Sequence, residues 1–170
     1  MESNKSCKLI LDSHNCIQKM KRMALQILED HYSERKIVLI GIEERGYELA
    51  QRLNDILLEL GDKSIELIRL SINKKLSDQS VAKLDTDVNK LTGESIIIVD
   101  DVANTGRVLT YSLKPFLNIR PKQLRTLALV DRKHKLFPVS VDYVGLSLST
   151  TMKEHIEVSV QDGAFNAYLC

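Results

Sequence analysis

The stretch Ser95-Ile96-Ile97-Ile98-Val99-Asp100-Asp101-Val102-Ala103-Asn104-Thr105-Gly106-Arg107 constrains the fold more than any other part of the chain. An apolar β-branched run ends in two acids and a short polar turn, after which Val108 to Leu113 take on helical character. A strand this uniformly apolar is buried on both faces, which places it at the centre of a parallel sheet. Thr105 and Gly106 stand where a helix must begin. Glycine lets backbone approach a ligand closely, and unpaired N–H groups at such a turn bind anions. Two carboxylates at the strand's end are suited to sugar hydroxyls. Acid pair and anion cradle together read as a ribose-phosphate site.

Composition narrows the rest. The 170 residues are 44% hydrophobic and 28% charged, so one globular domain over 1–170 is expected, with enough chain for a proper core. A net charge of +1 gives no global attraction to nucleic acid or membrane, so any such surface has to be a local patch. No apolar run approaches the ~18 residues of a membrane span. Residues 1–7 have no apolar signal core, and a cytoplasmic protein is expected. Cys7, Cys16 and Cys170 are odd in number and lie at no metal-ligand spacing, which fits reduced thiols.

Taken in order, Leu9-Ile10-Leu11 reads as a short lead-in strand. Asp12 or Ser13 then caps a helix to about Asp30, with Ile17, Met20, Met23, Ala24, Ile27 and Leu28 as its apolar stripe. Lys19, Lys21 and Arg22 lie towards the other side, where a solvated helix face is the plain reading. Lys36 to Ile42 is a second buried strand. It leads through Glu43-Glu44-Arg45-Gly46 into an amphipathic helix from Tyr47 to Leu60. Turns at the carboxyl ends of parallel strands are where α/β sheets bind ligands. Ile65 to Ile72 is a third strand. The polar segment 73–94, with Lys74 and Lys75, reads as a hairpin or a flexible lid loop. Gln123 to Val130 is another buried strand, ending in Asp131-Arg132-Lys133-His134-Lys135, and Val141 to Leu146 a further one. His155 to Val160 and Ala164 to Cys170 are expected to form an antiparallel edge. The class is therefore α/β, an open doubly wound parallel sheet. Four loops, 43–46, 73–94, 101–107 and 131–135, converge on one crevice.

The stretch Ile97 to Arg107 resembles the phosphoribosyl-pyrophosphate (PRPP) motif of type I phosphoribosyltransferases. Leu39 to Gly46 with Leu49-Ala50-Gln51-Arg52-Leu53, Leu129 to Pro138, and Asp142-Tyr143-Val144-Gly145 are similar to one subgroup, the bacterial pyrimidine-operon attenuation regulators with uracil phosphoribosyltransferase activity. The resemblance spans roughly residues 9 to 160. It implies the type I phosphoribosyltransferase fold with a lid loop at about 73–94. It implies transfer of phosphoribose from PRPP to a nucleobase, most readily uracil, with Mg²⁺ as cofactor held mainly by PRPP and water. It assigns Asp100 and Asp101 to the ribose. Val102, Ala103, Asn104, Thr105, Gly106 and Arg107 take the 5′-phosphate, and Glu43, Glu44, Arg45 and Gly46 form the pyrophosphate loop. Val130, Asp131 and Arg132 fall on the base side. Glu43 and Glu44 stand where the family usually has Lys and Thr, and Val108 where it has Thr. Two acids beside pyrophosphate repel it unless Mg²⁺ intervenes or they point away. Arg22, His134 and Lys135 resemble positions of a face that binds leader RNA, and a homodimer or higher homo-oligomer is implied. The alternative reading is a PRPP- or UMP-sensing regulator that binds RNA and turns over poorly.

Overall fold

The computed structural model describes residues 7–72 and 82–170. Six strands form the main sheet: β2 (Lys36–Ile42), β3 (Ser64–Ile72), β4 (Ala82–Leu84), β5 (Ser95–Ala103), β6 (Gln123–Arg132) and β7 (Tyr143–Leu148). Their order is β4-β3-β2-β5-β6-β7, with every neighbouring pair parallel except β3 and β4. The acid-tipped strand β5 lies inside the sheet between β2 and β6, as its composition requires. Its residues alternate between two cores. Ile97 and Val99 face one that contains α1 (Ser13–Asp30) and α2 (Glu43–Leu60). Ile96 and Ile98 face another that holds Leu109 of the short helix α3 (Arg107–Ser112) and Phe116 of the 3-10 turn after it. Both faces of the sheet are thus covered.

Helix α1 is capped as its sequence suggests, with Asp12 Oδ1 accepting from the Asn15 amide at 2.8 Å. Cys16, Met20, Met23, Ala24 and Ile27 are its buried stripe. Two long side-chain contacts dock it on β7. The Arg22 guanidinium donates to the carbonyls of Val144 and Gly145 at 2.7 and 2.9 Å, and the Tyr143 hydroxyl donates to Asp30 at 2.8 Å.

Several expectations are corrected. The last strand pair is not an edge of the main sheet. β8 (Ile156–Gln161) and β9 (Ala164–Leu169) join β1 (Lys8–Leu11) in a separate three-stranded antiparallel sheet, order β1-β9-β8. Val158, Phe165, Ala167 and Leu11 turn one face of it into the α1 and α2 core, which is why it packs there. Asp162-Gly163, with φ of 49° and 76°, makes the tight turn between β8 and β9. The antiparallel edge of the main sheet is β4 instead. Within the expected lid segment, residues 82–94 carry β4 and a 3-10 turn at Val88–Leu91, anchored by buried Leu84 and Leu91. Residues 73–81, with Lys74 and Lys75, lie outside the described residues. Helix α2 starts four residues earlier than expected, at Glu43. Finally, Cys7 and Cys170 are joined in a disulfide across β1 and β9, not held as separate thiols. Cys16 is the free cysteine, and burial pushes its thiol up to about 11. No described helix is long and apolar enough to cross a membrane.

Candidate active site

The carboxyl ends of β2, β5 and β6 open on one side of the sheet. A cavity of about 410 Å³ there is lined by Ile42, Glu43, Glu44, Arg45, Asp100, Asp101, Val102 and Val108. The two strand-to-helix junctions expected to face each other therefore do so.

At the end of β5 each acid engages the next amide. Asp100 Oδ1 accepts from Asp101 N–H at 3.0 Å, and Asp101 Oδ1 from Val102 N–H at 2.9 Å. These bonds fix the two carboxylates at the mouth of the strand. Asp100 is buried and Asp101 half-buried. Residues 104–106 then loop out to α3, with Gly106 at φ 83° as its left-handed N-cap. A Cβ on Gly106 would also lie 2.7 Å from Val139 Cγ1, so both the dihedral and the space call for glycine here. A recess of about 40 Å³ sits within the loop, bounded by residues 100 and 102–109.

The loop is held from beneath by two cations of the β6 edge. Lys135 Nζ donates to the carbonyls of Ala103 and Asn104 at 3.1 Å each, to that of Arg132 at 2.8 Å, and to Asp131 Oδ1 at 2.5 Å. An ammonium has three protons, so these four acceptors use it fully. Arg132 is buried, and its guanidinium bridges Asn104 Oδ1 (2.9 Å) to Thr150 Oγ1 (2.5 Å) and the Thr151 carbonyl (2.8 Å). Glu154 finishes this turn, accepting from the Thr151 amide at 2.7 Å and hydroxyl at 2.9 Å. The Thr151 amide first, then its hydroxyl, hold the Glu154 carboxyl below its usual range. The amides of Leu136 and Phe137 close the arrangement on the Thr105 carbonyl at 2.9 and 3.1 Å.

At the β2 junction there is no loop. Glu43, at φ 55°, takes the whole bend, and one of its oxygens accepts from the Ile72 amide at 2.8 Å. Glu43 and Glu44 form the first turn of an 18-residue helix, where acids complement the macrodipole. Gly46 lets this turn lie on β5, since a Cβ there would sit 2.6 Å from the Val99 carbonyl oxygen. Four carboxylates and one guanidinium thus line the cavity. Such an oxygen-rich donor set suits a hard divalent cation such as Mg²⁺.

Comparison with known proteins agrees with this geometry. A family model described as "Phosphoribosyl transferase domain" matches residues 6–162. The chain belongs to the phosphoribosyltransferase family. Within it, the chain is 32% identical over 161 residues to the bifunctional protein PyrR of Haemophilus ducreyi, covering 91% of this chain and 90% of that one. It is 34% identical over 164 residues to PyrR of Macrococcus caseolyticus, covering 91% and 92%. Among solved structures it is similar to the hypoxanthine phosphoribosyltransferase of Trypanosoma cruzi in complex with IMP, with TM-score 0.74, 19% identity, and 89% and 86% of the two chains covered. It is also similar to a hypoxanthine-guanine phosphoribosyltransferase of Bacillus anthracis, with TM-score 0.73, 23% identity, and 97% and 99% covered. The chain is a type I phosphoribosyltransferase by sequence family and by fold.

Placement of the other expected site residues differs by group. Val130 and Asp131 are buried with Arg132, and none of the three lines the 410 Å³ cavity. Asp131, 3% exposed, is engaged by Lys133 at 2.8 Å and by Lys135. Of the three residues expected on an RNA face, Lys135 donates to the carbonyls of Ala103 and Asn104, Arg22 donates to those of Val144 and Gly145, and His134 is half-buried. The strand expected at His155 to Val160 also lies beside the site, which its sequence does not indicate. Ile156, Glu157 and Val158 line a recess of about 320 Å³ with Arg45, Asp101, Val102 and Asn104. The alternating pattern of 155–160 marks a strand, but nothing local says which strands it joins.

Proposed function

We propose that the chain transfers the phosphoribosyl group of PRPP to uracil, forming UMP and pyrophosphate. The observation that carries this is the acid pair at the end of β5 sharing one cavity with the start of α2, beside the recess enclosed by residues 102–109. Asp100 and Asp101 take the ribose 2′- and 3′-hydroxyls and set negative charge beside the anomeric carbon, which becomes positive in an oxocarbenium-like transition state. Amides from Val102 to Arg107, with the Thr105 hydroxyl, hold the 5′-phosphate. Arg45 offers a forked donor to the departing pyrophosphate. The recess under β8 adjoins the ribose position through Asp101 and Val102. Ile156 and Val158 give it apolar walls for a planar base, and Asn104 a polar edge. The reaction needs positioning rather than covalent chemistry from the protein. Asp100, Asp101, Glu43 and Glu44 would lie beside an Mg²⁺ carried in by PRPP, which when bound would supply the positive charge that lets pyrophosphate sit near Glu43 and Glu44. A cytoplasmic location accords with these soluble substrates.

The test is pyrophosphate release from PRPP and Mg²⁺ with uracil, then with guanine, hypoxanthine and adenine. Turnover with uracil supports the proposal, and turnover with a purine alone replaces the base. Silence with every base while PRPP still binds favours the second reading, a nucleotide-sensing regulator that binds leader RNA. Kinship with proteins named bifunctional supports that reading. Among the described residues, Lys21 on α1 and Lys133 after β6 are exposed cations that such binding would draw on. Binding to a leader hairpin that falls steeply with salt is its expected signature, and no binding at low salt ends it.

A further inference from the structure

The small sheet gathers side chains that the proposed reaction does not use. Register sets Lys8 opposite Leu169, which brings Cys7 beside Cys170 with their Cα atoms 4.2 Å apart. On the other side of β9, His155 and Cys170 exchange both backbone hydrogen bonds at 2.9 Å. Glu157 follows two residues later, on the same face of the strand as His155. A ring nitrogen of His155, a carboxylate oxygen of Glu157 and the Cys170 sulfur all lie within 4.8 Å of one another. The Cys7 sulfur is bonded to the last of these. Among the described residues this is the one cluster of His, Cys, Asp and Glu with such spacing.

We propose that Cys7, His155, Glu157 and Cys170 form a zinc site that becomes available when the Cys7–Cys170 disulfide is reduced. With the disulfide closed, neither sulfur is a thiolate, and only an imidazole and a carboxylate remain as good ligands. Reduction takes two electrons and two protons from a dithiol, which leaves as its own disulfide, and gives two thiols. Zn²⁺ then displaces both thiol protons to solvent and is held by two thiolates, an imidazole and a carboxylate. Two sulfurs with a histidine nitrogen select zinc over Mg²⁺ or Ca²⁺, and four protein ligands make a closed, structural site. Ligand atoms around tetrahedral zinc are roughly 3.3–3.8 Å apart. His155 and Glu157 are exposed, so small side-chain rotations close the remaining gap. The two states cross-link the small sheet by different chemistry: under oxidising conditions a disulfide joins β1 to β9, and in the reducing conditions of a cytoplasm a metal joins both to β8.

Cobalt titration of the whole protein tests this. Under argon, the chain is reduced with a water-soluble phosphine and titrated with Co²⁺, which reports its own coordination. The expected result is a thiolate-to-cobalt charge-transfer band with tetrahedral ligand-field bands, saturating at one cobalt per chain and bleached by Zn²⁺. Oxidised protein gives no such band. Cobalt at the oxygen-lined crevice lacks the sulfur band, and the Cys16 thiol is fully buried elsewhere, under α1. His155→Ala weakens cobalt binding at least about tenfold, and the Cys7→Ser/Cys170→Ser pair abolishes the sulfur band. A reduced wild-type protein without that band overturns the proposal, as does unchanged affinity in His155→Ala/Glu157→Ala. The oxidised-against-reduced comparison needs no substitution, so a variant that fails to fold leaves the proposal testable.

Discussion

The junctions from β2 into α2 and from β5 into α3 start from the same sequence elements: a buried apolar strand, a glycine close behind it and a helix. They end as opposites. At the first, one residue makes the bend and the helix starts at once. At the second, residues 104–106 stand clear of strand and helix, with Lys135 and Arg132 fixing them from below. An anion cradle needs backbone that is free of a ladder yet held in one shape. The β5 junction has both properties, whereas the β2 junction is fixed but passes straight from strand into helix with no free loop.

The sharpest way to break this comparison is Asp100→Asn with Asp101→Asn. Either Asn side chain can still accept from the following amide, so thermal unfolding should stay near wild type while calorimetric PRPP binding is lost. Near-normal PRPP affinity would remove the β5 junction from the site. Next in size is Lys135→Met. It takes one of two cations from a buried carboxylate and the staple from the loop, which should cost about 2–3 kcal/mol in urea unfolding. It should also raise the KM for PRPP more than it lowers kcat. An unchanged KM would show that the loop keeps its shape unaided.

The acids at the other junction give smaller effects. Glu44→Lys should tighten pyrophosphate binding several-fold, by roughly 1 kcal/mol at solvent-like dielectric. Glu43→Lys should gain less, because it also surrenders the bond to the Ile72 amide. Equal gains would mean that the bond does not hold Glu43 in solution. The smallest effect concerns the turn behind Arg132. The Glu154 carboxyl is held below its ordinary 4.5, so its contribution to stability is complete above that value and is lost as the pH falls through the lower folded one. The stability gap between wild type and Glu154→Gln should therefore close below pH about 4.5. A gap that persists into strong acid would show that the charge is not what matters.

What could be read in advance divides along range. Strand β5 was legible because a continuous apolar run and its acid tip are adjacent in sequence, and α1 and α2 because their buried residues recur every three or four positions. The partners of Lys135 and Arg22 were illegible for the opposite reason. Beside nearby acceptors, both reach backbone carbonyls 31, 32, 122 and 123 residues away, which no local pattern marks. The segment 82–94 hid its anchors Leu84 and Leu91 among charges. Cys7 and Cys170 were opaque because 163 residues separate them.

That separation also bears on how the chain assembles. The strands of the main sheet follow one another along the chain, and all have emerged before β8 begins. β1 is made before any of them, yet its hydrogen-bonding partner is β9. During synthesis, therefore, β1 waits with an open edge while the six-stranded sheet forms, and the three-stranded layer closes last. Contacts so distant in sequence are slow to form, and an unpaired strand edge is exposed to other nascent chains in the meantime. A truncation before β9 would leave the loop at 104–106 intact in sequence but β1 without its partner.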